Sequence, residues 1–272
     1  MTKLKAASFS QTWGCRALLL DLDGVITDTA HLHFRAWKTL FDEYLRKSAE
    51  RDREVFQPFL KEDYLRYVDG KPRYDGVRDL LISRNIRIPY GHPSDSPERE
   101  TVCGLGNRKN SYFNELLKKE GAEVLHPSVD WVRRQKQEGI LVAVVSSSKN
   151  TPLVLKTAGL EDLFQIRVDG NVGADLGLEG KPAPDYFLEA ASRLEVAPEE
   201  AAMVEDAVSG VDAGRRGGFK LVVGISRSEG EKTLLEHGAH VVVNNLAQLD
   251  EIDPHTLNED KSKEKEHGLH GE

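Results

Sequence analysis

The sequence predicts an α/β protein, a doubly wound parallel sheet with a helical domain inserted after the first strand. Three observations lead there. Short apolar runs recur along the chain, helical patterns lie between them, and one long stretch, 29–121, lacks any such run.

The first run spans Arg16 to Leu20 and ends in Asp21-Leu22-Asp23-Gly24. A run without polar alternation reads as a strand buried on both faces, as parallel strands are. The stretch that follows opens with Phe34, Trp37, Leu40, Phe41, Tyr44 and Leu45 at helical spacing. Charged helical segments continue it, and the loop-like Pro89 to Glu100 carries three prolines, Pro89, Pro93 and Pro97. Further strands are predicted at Ile140 to Val145, Ala201 to Val204, Leu221 to Ile225 and His240 to Val243. Helices are predicted among them at Pro152 to Ala158, Asp185 to Leu194 and Val208 to Arg216. Strands alternating with helices define a doubly wound, Rossmann-like core with helices on both faces. The expected division is a core from 1–28 and 122–252, an inserted helical cap from 29–121, and a polar, disordered tail from 253–272.

The net charge of -8 argues against a general nucleic-acid binder, which needs a basic face to neutralise phosphates. It leaves room for a local cationic cluster holding one small phosphorylated molecule. Cys15 and Cys103 give no disulfide framework and no zinc-ligand spacing. Two reduced thiols are expected, although a single bridge between them stays open. The N-terminal segment lacks a signal-peptide core, and no stretch approaches the ~20 apolar residues of a membrane span. A cytoplasmic monomer acting on small molecules is expected.

Ligands of doubly wound sheets sit outside the carboxyl ends of the strands. Asp21 and Asp23 end the first predicted strand, Ser146-Ser147-Ser148 the second, and Glu205-Asp206 another, while Lys181 stands in a loop before a helix. Each has an ordinary reading alone: a helix cap, a polar loop, a surface lysine. Together, in order after successive strands, they describe one chemistry. Converging carboxylates suit a magnesium ion, which relieves their repulsion and lets an anionic nucleophile approach phosphate. Manganese would fit the same oxygens. A carboxylate can then attack phosphorus, while Ser146, the amides after it and Lys181 suit the phosphate oxygens.

These motifs resemble those of the haloacid dehalogenase superfamily, from about Arg16 to Leu249. The resemblance implies Asp21 as nucleophile and Asp23 as general acid/base, with Ser146 and Lys181 in the second and third motifs. It implies magnesium held by Asp21, the Asp23 carbonyl and Asp206, with Glu205 a direct or water-mediated ligand. Within the superfamily, Asp21 to Ala30 followed by His33-Phe-Arg-Ala-Trp37-Lys38 resembles the β-phosphoglucomutases. So do Ser146-Ser147-Ser148-Lys149-Asn150, Arg108-Lys109-Asn110 and Lys181 to Asp185. That resemblance implies interconversion of β-glucose 1-phosphate and glucose 6-phosphate through an aspartyl phosphate and a bisphosphate. It places Thr29 at the cap hinge and has His33 hydrogen-bond the acid/base. Arg73, following Gly70, would grip the distal phosphate with Ser148, Lys149 and Asn150. Two features depart from the pattern: Asp69 stands where those enzymes have a lysine, with Lys71 a candidate replacement charge, and extra segments occur around 48–59 and 84–102. A sugar-phosphate phosphatase is the alternative reading, and an idle binding module is disfavoured because every catalytic position holds a competent residue.

Overall fold

A strand apolar on both faces must be covered on both, and Ala17–Asp21 (β1) is buried along its whole length. The computed structural model of the chain describes residues 8–227 and 229–254. β1 is joined by β2 (Leu141–Val145), β3 (Ile166–Val168), β4 (Ala201–Glu205), β5 (Leu221–Ile225) and β6 (Val241–Val243). All pair in parallel, in the order β3-β2-β1-β4-β5-β6. The helices, in chain order, are α1 (Phe9–Trp13), α2 (Ala30–Asp52), α3 (Lys61–Tyr67), α4 (Arg73–Ser83), α5 (Val102–Glu120) and α6 (His126–Gln137). They continue with α7 (Thr151–Ala158), α8 (Gly170–Leu176), α9 (Asp185–Arg193), α10 (Val208–Arg216) and α11 (Glu231–His237).

The alternation of side chains along each strand builds two apolar layers. Leu18, Leu20, Val142, Val144 and Val204 face Trp131 of α6 and Leu155 of α7. Leu19, Ala143, Val145 and Met203 face Phe187 of α9 and Val211 of α10. The sheet is thus covered on both faces, as the apolar runs predict. The three-residue β3 escapes prediction because Arg167 interrupts it and it is too short to register as a run. Helix α6 escapes too, since its buried Val129, Trp131 and Val132 sit among charged neighbours.

Residues 30–120 contribute no strand to the sheet. Their helices surround a third apolar cluster, with Trp37 and Phe41 stacked 5.3 Å apart and Phe59 and Leu105 beside them. The C-terminal half of α5 reaches out of that cluster, because Phe113 and Leu117 join the layer against the sheet. The proline-containing 89–101 segment is without helix but held in place. Asn107 Nδ2 donates to the Pro93 and Asp95 carbonyls, and the Asp95 carboxylate accepts from Thr101 Oγ1 at 2.7 Å. Both cysteines are buried free thiols. No helix among the described residues is long and apolar enough to cross a membrane.

The chain winds from β1 to β2 and β3 on one side, then crosses back to β4 on the other. The reversal opens a crevice at the carboxyl ends of β1 and β4. Asp21 and Glu205 end those two strands.

Truncating Phe41 to alanine should lower the unfolding free energy by about 3–5 kcal/mol, the cost of a large buried cavity. Truncating the exposed Leu153 should change it by less than about 0.5 kcal/mol. Urea titration of both variants checks this; a loss under about 1 kcal/mol at Phe41 would mean that the inserted helices do not share a tight core.

Candidate active site

At the end of β1 the chain must reverse at once if two nearby carboxylates are to share one cleft. Gly24 makes this turn with φ of +87°, a left-handed conformation that side chains rarely adopt. A Cβ there would also stand 1.9 Å from Asp206 Oδ2, so no other residue fits. The Gly24 amide donates to the Thr27 carbonyl at 2.7 Å and closes the turn. Asp21 and Asp23 therefore line the same cleft, together with Glu205 and Asp206 from the end of β4.

Carboxylate oxygens of Asp21, Glu205 and Asp206 all lie within 4.8 Å of one another. Facing them is one buried cation. Lys181 Nζ stands 2.5 Å from Asp21 Oδ1 and also bonds Glu205 Oε1. Burial alone would pull the Lys181 pKa down, but Asp21 and Glu205 together push it up, so it stays an ammonium. One ammonium does not neutralise three carboxylates. Burial and then Asp21 push Glu205 up to about 8, and burial followed by Asp69 and Glu205 pushes Asp206 well above the carboxylate range. A buried, oxygen-only set with excess negative charge is the donor chemistry of a hard divalent cation, and magnesium fits it.

Asp23 turns away from this group. Thr29 Oγ1, fully buried at the head of α2, donates to Asp23 Oδ1, and Thr27 Oγ1 lies 2.8 Å from Thr29 Oγ1. Burial first and Asp21 second raise the Asp23 pKa to about 6, against the opposing pull of Thr29, Lys109 and Lys181. A carboxyl group near neutrality can both give and take a proton. His33 Nε2 is 3.7 Å from Asp23 Oδ1, so the expected hydrogen bond between them is not made. Thr29 holds that oxygen instead, and Lys109 Nζ draws the other side of the ring, at 2.8 Å from Nδ1. Burial, Lys109 and Arg73 hold His33 well below its usual pKa, so the ring is neutral. Lys109 is buried over the Trp37 and Phe113 rings, 4.8 and 5.0 Å from their centroids.

The remaining expected residues come from two sides. Ser146, Ser147, Ser148 and Asn150 line the cleft from the loop after β2. Ser146 Oγ accepts from the Ser148 amide and Ser148 Oγ from the Asn150 amide, both at 3.1 Å, which fixes the loop. Gly70 and Arg73 line it from the inserted helices, with His33, Trp37 and Lys109. The Arg73 guanidinium is largely buried, and that burial lowers its pKa. Among the described residues no carboxylate pairs with it.

Two expected residues fall outside the cleft. Thr29 lies beneath Asp23, and Lys149 lines a neighbouring cavity with Arg73, Tyr74 and Tyr186. The Lys149 carbonyl accepts from Asn171 Nδ2 at 3.1 Å, and its side chain runs over Gly170, which directs it away. Lys71 lines the cleft, but its ammonium is paired with Asp79 at 2.9 Å. Tyr64 of α3 and Ala207, just before α10, also line it and carried no sequence signal, since neither belongs to a motif.

Residues 15–218 match the family described as haloacid dehalogenase-like hydrolase. The chain is 53% identical over 238 residues to a β-phosphoglucomutase of Mycobacterium bovis, covering 86% of this chain and 91% of that protein. It is 29% identical over 230 residues to a phosphorylated carbohydrates phosphatase of Thermotoga maritima, covering 84% and 93%. Among solved structures, a β-phosphoglucomutase from Clostridium difficile superposes with a TM-score of 0.68 at 27% identity, covering 91% of this chain and 99% of that one.

A cation that binds the folded protein alone must stabilise it. Magnesium should therefore raise the melting temperature, and Asp206→Asn should weaken calorimetric magnesium binding by at least about tenfold. A wild-type protein whose melting temperature ignores magnesium would remove the cation from this cluster.

Proposed function

The chain belongs to the haloacid dehalogenase-like hydrolases, and from that premise we propose that it interconverts β-D-glucose 1-phosphate and glucose 6-phosphate. The observation that carries this reading is Arg73. A half-buried guanidinium without a carboxylate partner, lining the same cleft as Asp21, is built for an anion. A mutase must hold two phosphates at once, one at the nucleophile and one at the far end of the sugar. A phosphatase needs only the first.

In the proposed cycle Asp21 carries a phosphoryl group. The 6-hydroxyl of β-glucose 1-phosphate attacks that phosphorus, Asp23 accepts the hydroxyl proton, and the Asp21–phosphorus bond breaks. The product is β-glucose 1,6-bisphosphate. After it turns end for end, an Asp21 oxygen attacks the phosphorus at C1, and Asp23 returns its proton to the departing C1 oxygen. Glucose 6-phosphate leaves and the aspartyl phosphate is restored. Asp21, Asp206, the Asp23 carbonyl and Glu205, directly or through water, would hold magnesium, which supplies positive charge to offset the anionic nucleophile and phosphate. Lys181 holds Asp21 in place and faces the transferring oxygens, Ser146 and the amides after it receive them, and Thr29 orients Asp23. Lys109 and neutral His33 add a cationic, hydrogen-bonding wall around the sugar. Arg73, Ser148 and Asn150 hold the distal phosphate, with Lys149 able to join only by swinging in from its own cavity.

The second reading is a sugar-phosphate phosphatase, favoured by Asp69, an anionic residue lining the cleft. The decisive experiment supplies β-glucose 1-phosphate, magnesium and a trace of glucose 1,6-bisphosphate, and follows glucose 6-phosphate and free phosphate together. Glucose 6-phosphate with little free phosphate is expected; free phosphate alone would make the enzyme a phosphatase. Asp21→Asn should abolish turnover, and retention of full activity would sink both readings. Arg73→Ala should cost about 2–5 kcal/mol, or roughly 30- to several-thousand-fold in mutase kcat/KM. Unchanged mutase kinetics would remove Arg73 from the distal site.

A further inference from the structure

The loop that carries Arg73 into the cleft is tied to the sheet by two side-chain hydroxyls, that of Ser209, which belongs to no motif, and that of Ser147, in the serine run after β2. Ser209 Oγ donates to the Asp69 carbonyl at 3.1 Å, and Ser147 Oγ donates to the next carbonyl, that of Gly70, at 2.8 Å. Ser209 lies three residues beyond Asp206, near the head of α10, and Ser147 directly follows Ser146. One carbonyl of the loop is therefore fastened to the segment of the carboxylate cluster, and the other to the phosphate-facing segment.

The approach is close at each point. Gly70 has φ of +71°, and a Cβ there would stand 2.3 Å from Ser209 Oγ. Two residues on, Pro72 presses on Gly180, where a Cβ would lie 2.3 Å from Pro72 Cγ. Gly180 immediately precedes Lys181, so the loop touches all three segments that surround Asp21. Across the cleft, Asn150 Nδ2 donates to Asn110 Oδ1 at 2.6 Å and closes the other side.

We propose that Ser209 and Ser147 form a latch that holds the Asp69–Arg73 loop against the sheet and so determines whether the phosphoryl group on Asp21 passes to a sugar hydroxyl or to water. The proposal rests on the mutase reading and deepens it. Water is the competing acceptor for any aspartyl phosphate, and excluding it requires the inserted helices to stay down on the cleft. The latch fastens the loop by its backbone, so it acts whatever sugar lies beneath. Because the same loop bears Arg73, holding it down also presents the distal-phosphate grip. Ser209 touches no reacting atom; it is a positioning residue acting through the loop.

The test uses the full-length enzyme as wild type, Ser209→Ala, Ser209→Thr and Ser147→Ala, each loaded with magnesium. Acetyl phosphate forms the aspartyl phosphate, whose lifetime is followed by radiolabel without any sugar. The ratio of free phosphate to glucose 6-phosphate is then measured during turnover of β-glucose 1-phosphate. Loss of one net hydrogen bond should shorten the phosphoenzyme lifetime of Ser209→Ala about 3- to 10-fold and raise the ratio by a similar factor. Ser147→Ala should move both readouts in the same direction, and Ser209→Thr, which keeps the hydroxyl, should restore them. Wild-type lifetime and ratio in Ser209→Ala, or a threonine variant as leaky as the alanine one, would overturn the latch. A wild type that makes no glucose 6-phosphate would instead overturn the mutase reading, and the sugar-free lifetimes would still decide the latch.

Discussion

Negative charge is gathered at one point of this molecule, and much of the local structure manages its repulsion. Asp21 and Glu205 end adjacent parallel strands, so their separation is set by strand spacing rather than by choice of rotamer. Asp206 follows at once and joins them. The surroundings supply what compensation a chain can. Lys181 spans two of the three, and the Asp206 and Ala207 amides donate to Glu205 Oε2 at 3.2 and 3.3 Å. Gly210 leaves room for the Glu205 carboxylate, since a Cβ there would lie 2.0 Å from Cδ. Gly24 does the same for Asp206. These glycines are conditions for packing carboxylates this closely, and the remaining charge excess suits the cluster to a hard cation.

The inserted helices carry the opposite sign. Half-buried Arg73 and buried Lys109 line the cleft from that side, both with pKa values lowered by desolvation. Each lowers the His33 pKa, which keeps that ring uncharged between the two cations and Asp23. A partly desolvated guanidinium without a carboxylate partner, such as that of Arg73, costs energy until an anion arrives. The sheet side thus calls for a cation and the helical side for an anion, and a sugar bearing phosphate at both ends, with a divalent metal, answers both.

What the sequence reveals follows from how each feature is encoded. The strands are legible because burial on both faces leaves no polar residue in Leu18 to Leu20 or Val142 to Val145. The reactive groups are legible because winding places strand ends together, so Asp21, Ser146 and Glu205 can be assigned to one crevice before their distances are known. Helix α2 is legible from the spacing of Phe34 to Leu45. Contacts decided by the third dimension are not. Tyr64 belongs to no motif, and Ser209 becomes interesting only when the Asp69 carbonyl is found above it. The outward course of Lys149 depends on Asn171 and Gly170, residues of another segment. Asp23 is held by Thr29 and not by His33, whose Nδ1 meets Lys109, distant in sequence. In each case the deciding partner comes from elsewhere in the chain, where local pattern carries no information.

Asp69 is the residue that most strains the two-phosphate reading, and its surroundings limit the damage. An anion beside Arg73 would neutralise the distal grip. The charges that act on Asp69 are those of Lys61, Asp21 and Lys181, and its carboxylate is hydrogen-bonded to the Tyr64 phenol. Asp206 feels it strongly, whereas the group that acts on Arg73 is Tyr74. Asp69 therefore adds to the charge felt by the carboxylate cluster, while no ion pair ties it to the guanidinium four residues on. Its backbone carbonyl is held by Ser209. Asp69 thus adds to the charge that a metal would offset, and Arg73 is without a carboxylate partner among the described residues. A lysine at position 69 would add cationic charge near the carboxylate cluster; with aspartate there, the proposed grip on the distal phosphate falls to Arg73, Ser148 and Asn150.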